Sequence, residues 1–186
     1  MTHLTWYVAR AGGIVAWTLL AASLVWGLAI SGKMTRGKVR PNWMLDFHRF
    51  LGGAAVVLTA IHVVAILVDS YTDFGLVNVL VPLTGDWHPV AVAWGIVAMY
   101  LLAAVEITSL LRNKMSKRAW KLTHFLSYPV FVFSTVHLFS AGTDAGNLLL
   151  RVVTIGATMA IAGLTALRVG AAQEQAPPRR TSSVPI

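Results

Sequence analysis

Apolar residues run along this chain in long blocks, and polar residues gather in the gaps between them. The first block, GGIVAWTLLAASLVWGLAI, covers 12–30, and a second runs from about Met44 to Val68. VAVAWGIVAMYLLAAVEITSLL fills 90–111, LTHFLSYPVFVFSTVHLFSA fills 122–141, and a fifth block extends from about Asn147 to Leu167. Each is close to the ~20 residues a helix needs to cross about 30 Å of hydrocarbon. The pattern predicts an all-α integral membrane bundle of about five transmembrane helices. Pro41 and Asn42 mark the start of the second helix. The first block ends near Ser31 in a way that resembles a signal-peptide cleavage site. Its 19 apolar residues exceed the roughly 7–15 of a signal core, so a retained helix is expected.

The gaps differ from one another. DSYTDFGLVNVLVPLTGDWHP (69–89) is too broken by Gly and Pro to span and is expected to lie along the outer interface as a cap. Residues 1–171 are read as the membrane domain and 172–186 as a disordered cytoplasmic tail. Thirteen of the fifteen basic residues fall on one side of the predicted topology: Lys33, Arg36, Lys38, Arg40 and Arg49, then the 112–121 loop, then Arg168, Arg179 and Arg180. Arg10 and Arg151 fall on the other side, with Asp69, Asp73, Asp86 and Asp144. By the positive-inside rule this puts the N-terminus outside and the C-terminus in the cytoplasm, across a plasma (inner) membrane.

Composition sharpens the class. Of 186 residues, 56% are hydrophobic and 12% charged, far too apolar for an ordinary soluble domain. The net charge of +8 sits in short inter-helix loops and reads as topology, not as nucleic-acid binding. The chain has no cysteine, which excludes disulfides, thiolate haem ligands, cysteine-ligated clusters and covalent c-type haem.

Histidine is the chemistry-bearing residue in the apolar blocks. His48 and His62 lie 14 residues apart in the second block, and His124 and His137 lie 13 apart in the fourth. At 1.5 Å per residue these separations are about 21 and 19.5 Å. The two helices run in the same direction, so His48 can sit level with His124 and His62 level with His137. Two neutral imidazoles at one depth form an axial pair for haem iron. Two such pairs would hold two b haems between the second and fourth helices and relay an electron across the bilayer. Zinc would ask for three or four ligands at one depth. Helical phase opposes the pairing at one point: His124 and His137 come out about 140° apart at 100° per residue. Pro129 lies between them, where a kink can re-phase the upper half.

FHRFLG with His48, AIHVV with His62, WKLTHFLSY with His124 and STVHLF with His137 resemble the ferric reductase-like transmembrane domain over roughly residues 10 to 170. That family includes the membrane part of NADPH oxidases, iron reductases, and the haem subunit of the periplasmic methionine sulfoxide reductase system. The resemblance implies transmembrane electron transfer through two bis-histidine haems toward an outer acceptor: ferric iron, dioxygen or a partner reductase. Larger members continue into flavin and nicotinamide domains. Here 16 residues follow Gly170 and no Gly-rich dinucleotide fingerprint follows a strand. The expected donor is therefore a quinol or a flavoprotein reductase, with any flavin or quinone supplied by that partner. The rival readings are a haem-binding anchor subunit of a separate oxidoreductase and a non-redox helical membrane protein.

Arg49 and Lys121 near the inner histidines, and Arg151 near the outer end, are candidate partners for haem propionates, though interfacial snorkelling also explains them. Glu106, an acid deep in a span, is expected to pair with Arg112. His88 is expected to be a surface histidine. Phe131 and Phe133 are read as packing residues between the two histidine levels.

Overall fold

The computed structural model describes residues 3–32, 40–69 and 74–174. Among these residues seven α-helices follow in order: α1 His3–Ser31, α2 Pro41–Leu67, α3 Leu76–Leu80, α4 Pro89–Leu110, α5 Lys117–His124, α6 Ser127–Ser140 and α7 Leu148–Glu174. A short 3₁₀ turn at Arg112–Lys114 links α4 to α5. There is no strand among the described residues. Among the described residues five segments are long and apolar enough to cross a membrane: Leu4–Ser31, Asn42–Leu67, Pro89–Leu110, Lys117–Ser140 and Leu148–Ala171. The protein is a multi-pass membrane protein. Its large exposed side chains, such as Phe50, Val57, Ile107 and Leu149, face outward as lipid solvation allows, since every backbone group in a helix is already bonded within the segment.

Local sequence sets the helix ends. Proline at the first turn starts both α2 and α4, where its missing N–H costs nothing. Ser116 caps α5 by accepting from the Ala119 N–H at 3.2 Å, satisfying one of the donors a helix start leaves open. The fourth span is broken rather than merely bent. Pro129 has no N–H for the Phe125 carbonyl, which accepts instead from Tyr128 N at 3.2 Å, while Leu126 N donates to Thr123 O at 3.0 Å. These i→i+3 bonds wind the chain faster than an α-helix. The re-phasing expected of Pro129 is therefore delivered at Phe125 and Leu126, one turn before the proline, because the proline ring acts on the carbonyl four residues back.

Two hairpins make up the bundle. α1 packs along α2, and α4 packs along α6; α7 closes the outside against α1. One core joins Trp17, Leu24, Phe131, Leu138, Leu150 and Ile161 from α1, α6 and α7. A second, at mid-depth, joins Leu20, Ala55 and Val130 from α1, α2 and α6. The first block is thus central to the packing. α7 continues to Glu174, three residues into the segment expected as tail. The remainder of that segment, and the 33–39 stretch with Lys33, Arg36 and Lys38, lie outside the described residues.

The bundle has two chemically different ends. Arg49, Arg112, Lys114, Lys117, Arg118, Lys121 and Arg168 mark a basic end. At the opposite end Thr5 donates to Asp69 at 2.6 Å and Arg10 pairs with Asp144 through both Nε and Nη2.

Candidate functional site: two histidine pairs

The ligand-type residues all come from α2 and the broken α5–α6 span. His48 faces His124 with ring centroids 6.0 Å apart and an interplanar angle of 75°. His62 faces His137 at 6.4 Å and 77°. Both pairings expected from the sequence are formed. With a metal–nitrogen bond of about 2.0–2.1 Å and a centroid about 1.1–1.2 Å beyond the nitrogen, two imidazoles holding one metal between them would have centroids about 6.2–6.6 Å apart. The His62–His137 pair has that spacing, and the His48–His124 pair is about 0.2 Å short of it. No cluster of three or more His, Cys, Asp or Glu occurs among the described residues, so a zinc-like ligand set is not formed there.

The other helix of each hairpin backs the rings. His62 Nδ1 lies 2.6 Å from Ala9 O, His48 Nδ1 3.1 Å from Ser23 O, and His137 Nδ1 2.8 Å from Ala91 O. A carbonyl can only accept, so these three Nδ1 atoms carry the proton and donate. That leaves Nε2 as the lone-pair nitrogen, the form a metal ligand requires. His124 differs: its Nδ1 lies 3.5 Å from Ser109 Oγ. The Ser109 hydroxyl already donates to Val105 O at 2.7 Å, so it accepts from His124, at the long limit of a hydrogen bond.

Glycines make room for the rings. A Cβ on Gly13 would stand 3.0 Å from His62 Nδ1, on Gly27 3.1 Å from His48 Cε1, and on Gly95 2.7 Å from His137 Cε1 and Nδ1. These three were not singled out from the sequence, yet a signal was present. Gly13 and Gly27 are 14 residues apart, as are Ala9 and Ser23, and as are His48 and His62. The backing helix repeats at the interval of the helix it supports, and antiparallel packing brings each pair into register.

The pair at the less basic end, His62 and His137, borders a largely apolar cavity of about 220 Å³ that also touches Trp17, Phe74 and Trp87. Phe74 and Trp87 come from the 69–89 connection, whose described residues reach this end of the bundle. Arg10 and Asp144 also line the cavity. Arg151 does not: it is exposed and donates to Ala145 O at 2.7 Å. At the basic end Lys121 is exposed, and Arg49 is exposed and paired with Asp46 at 3.3 Å.

The expected pair of Glu106 with Arg112 is not formed. Arg112 lies over the Trp120 ring, 4.7 Å from its centroid. Glu106 turns the other way, toward α2, with Oε2 3.6 Å from where a Cβ on Gly52 would stand. The missing side chain at Gly52 leaves a space into which the carboxyl group fits, and sequence separation alone does not reveal that. His88 is exposed, sits at the left-handed N-cap of α4 and packs on Trp87. Phe131 packs with Trp17, and Phe133 with Trp94.

Residues 12–135 match the family described as ferric reductase like transmembrane component. The chain belongs to that family. Ferric reductase-like domains generally bind haem, and membership implies transmembrane electron transfer. The matched region includes His48, His62 and His124 and stops just short of His137. No curated protein and no solved structure matches the chain significantly.

Proposed function

We propose that this ferric reductase-like protein carries electrons across the plasma (inner) membrane through two b-type haems. His48 and His124 hold one near the cytoplasmic face, and His62 and His137 hold the other near the outer face. The basic end is the cytoplasmic one, by the positive-inside rule. The observation that carries this reading is the two facing imidazole pairs at 6.0 and 6.4 Å, with three of the four Nδ1 atoms bonded to backbone carbonyls.

When bound, haem supplies one-electron iron chemistry. The chain's own residues do the rest. The carbonyls of Ala9, Ser23 and Ala91 fix ring tautomer and orientation and raise ligand basicity. Leu20, Ala55 and Val130, packed between the two levels, keep water out of the path. Arg49 and Lys121 are the candidate propionate partners at the inner face; at the outer end Arg151 is exposed and Arg10, on the rim of the cavity, is held by Asp144. Electrons arrive from a quinol or flavoprotein reductase and leave to ferric iron, dioxygen or a partner reductase outside.

Pyridine haemochrome analysis of the purified protein is expected to give two haems per chain; one haem or none would remove the two-station relay. Dithionite should reduce both, while NADPH alone should not. Rapid reduction by NADPH, with contaminating flavoprotein excluded, would overturn the donor assignment. A topology reporter in the 69–89 connection should be external; a cytoplasmic one would invert the electron path.

A further inference from the structure

Three of the four histidines have the same support: a backbone carbonyl on Nδ1 and a glycine that lets the backing helix approach. Among the described residues His124 has neither, and its Nδ1 makes only the 3.5 Å contact with Ser109. It has a different neighbour. The Trp120 ring stacks on it with centroids 5.0 Å apart and planes 21° from parallel. Trp120 lies one turn before His124 on α5, so the two side chains share a face, and the Arg112 guanidinium over the indole steadies it from α4's end. The Trp120 Nε1–H is itself buried with no hydrogen-bond partner among the described residues. A buried donor is seldom left unpaired, and this one belongs to the side chain lying against the histidine.

We infer that Trp120 is the positioning residue of His124, setting its ring plane by stacking where the other three histidines are set by carbonyls, and that its indole N–H donates to a carboxylate of the haem bound at the inner pair. This rests on the two-haem reading above. The stack fixes the plane of His124 and with it the 75° angle to His48. The N–H belongs to the ring that Arg112 covers and that stacks on His124, and an indole N–H and a guanidinium both suit an anionic oxygen.

Two variants separate the two roles. Trp120→Phe keeps a stacking ring and removes the N–H; Trp120→Leu removes both. The readouts are the g value of the inner low-spin ferric EPR signal, which reports the angle between axial ring planes, and the rate of haem loss to apomyoglobin. The inner signal is assigned in His62→Ala, which leaves only the inner pair. Trp120→Leu should move the inner g value and leave the outer one in place. Trp120→Phe should restore the wild-type g value yet release the inner haem about tenfold faster, the scale of one lost hydrogen bond to a charged group. A wild-type g value in Trp120→Leu overturns the positioning role, and unchanged haem release in Trp120→Phe overturns the anchoring role. If Trp120→Leu loses the outer signal too, the bundle has been disturbed and Trp120→Phe decides: its inner g value must hold while release quickens, or the inference fails. Wild-type protein without haem would sink the two-haem reading instead.

Discussion

Both rings of the His62–His137 pair, proposed as the outer station, are held by backbone, whereas in the His48–His124 pair, proposed as the inner one, only His48 is. His62 and His137 bond to carbonyls at 2.6 and 2.8 Å, and glycines approach them so closely that a methyl group would stand 3.0 and 2.7 Å from their rings. At the inner pair, His48 shares its Nδ1 between Ser23 O at 3.1 Å and Ser23 Oγ at 3.2 Å, and His124 depends on Ser109 and Trp120. The His62 and His137 rings border a partly open apolar cavity that Phe74 and Trp87 also line; the His48 and His124 rings lie beside exposed basic residues. Helix backbone has few alternative positions in a packed bundle, whereas side chains can re-orient. The outer station is thus the rigid one. The inner station can yield to a change nearby, on the face where the donor is proposed to dock.

Substitutions at the backing glycines should break this comparison most sharply. In Gly95→Ala the methyl group would lie 2.7 Å from two atoms of the His137 ring, a separation real contacts do not reach, and the short carbonyl bond gives the ring nowhere to go. We expect loss of the outer haem, one haem per chain by pyridine haemochrome, and a stability loss of about 1–3 kcal/mol, as for overpacking. Gly27→Ala meets His48 at 3.1 Å, a clash a few tenths of an ångström of movement relieves. Both haems should remain, with a shifted inner absorption band. If Gly27→Ala proves the more damaging of the two, the rigid station is the inner one.

A smaller effect is expected at the rim. Arg10→Gln breaks the ion pair with Asp144, whose side chains are 33% and 26% exposed. A partly exposed pair contributes about 1 kcal/mol or less, so the thermal midpoint should fall by a few degrees with both haems retained. Loss of the outer haem in this variant would make Arg10 part of the binding site's framework rather than of its rim. The smallest effect should come from Gly53→Ala, where a Cβ meets nothing within 4 Å. With no ring against it, the change should leave both haems in place and gain up to about 1 kcal/mol from helix propensity. Haem loss here would show that any added methyl group on α2 disturbs the pairs, and the argument from glycine contacts would fail.

Much of this was legible from the chain alone. Five apolar blocks became five spanning segments because hydrocarbon leaves a backbone almost no alternative to a helix. The interval between His48 and His62, matched by that between His124 and His137, placed both pairs at equal depth through helical rise alone. What a linear pattern handles poorly is rotation about the helix axis. The phase conflict between His124 and His137 was visible, but its resolution depended on which carbonyls the chain could re-pair around Phe125. Glu106 was matched to Arg112 by sequence distance, while the space over Gly52 and the Trp120 ring drew the two apart.

Sequence by itself determined the membrane class, the number of spans, the direction of the charge bias and the identity of the paired histidines. These follow from transfer free energies and from a fixed rise per residue, which act on each segment independently of its neighbours. Only the tertiary structure decided which groups stand behind each ring: Ala9, Ser23 and Ala91 by their carbonyls, Gly13, Gly27 and Gly95 by their lack of a side chain, and Trp120 by its stack. Those are contacts between elements or across a helix face, with ångström-scale tolerances. A carbonyl, a glycine or an indole takes on such a role only when a partner is folded against it.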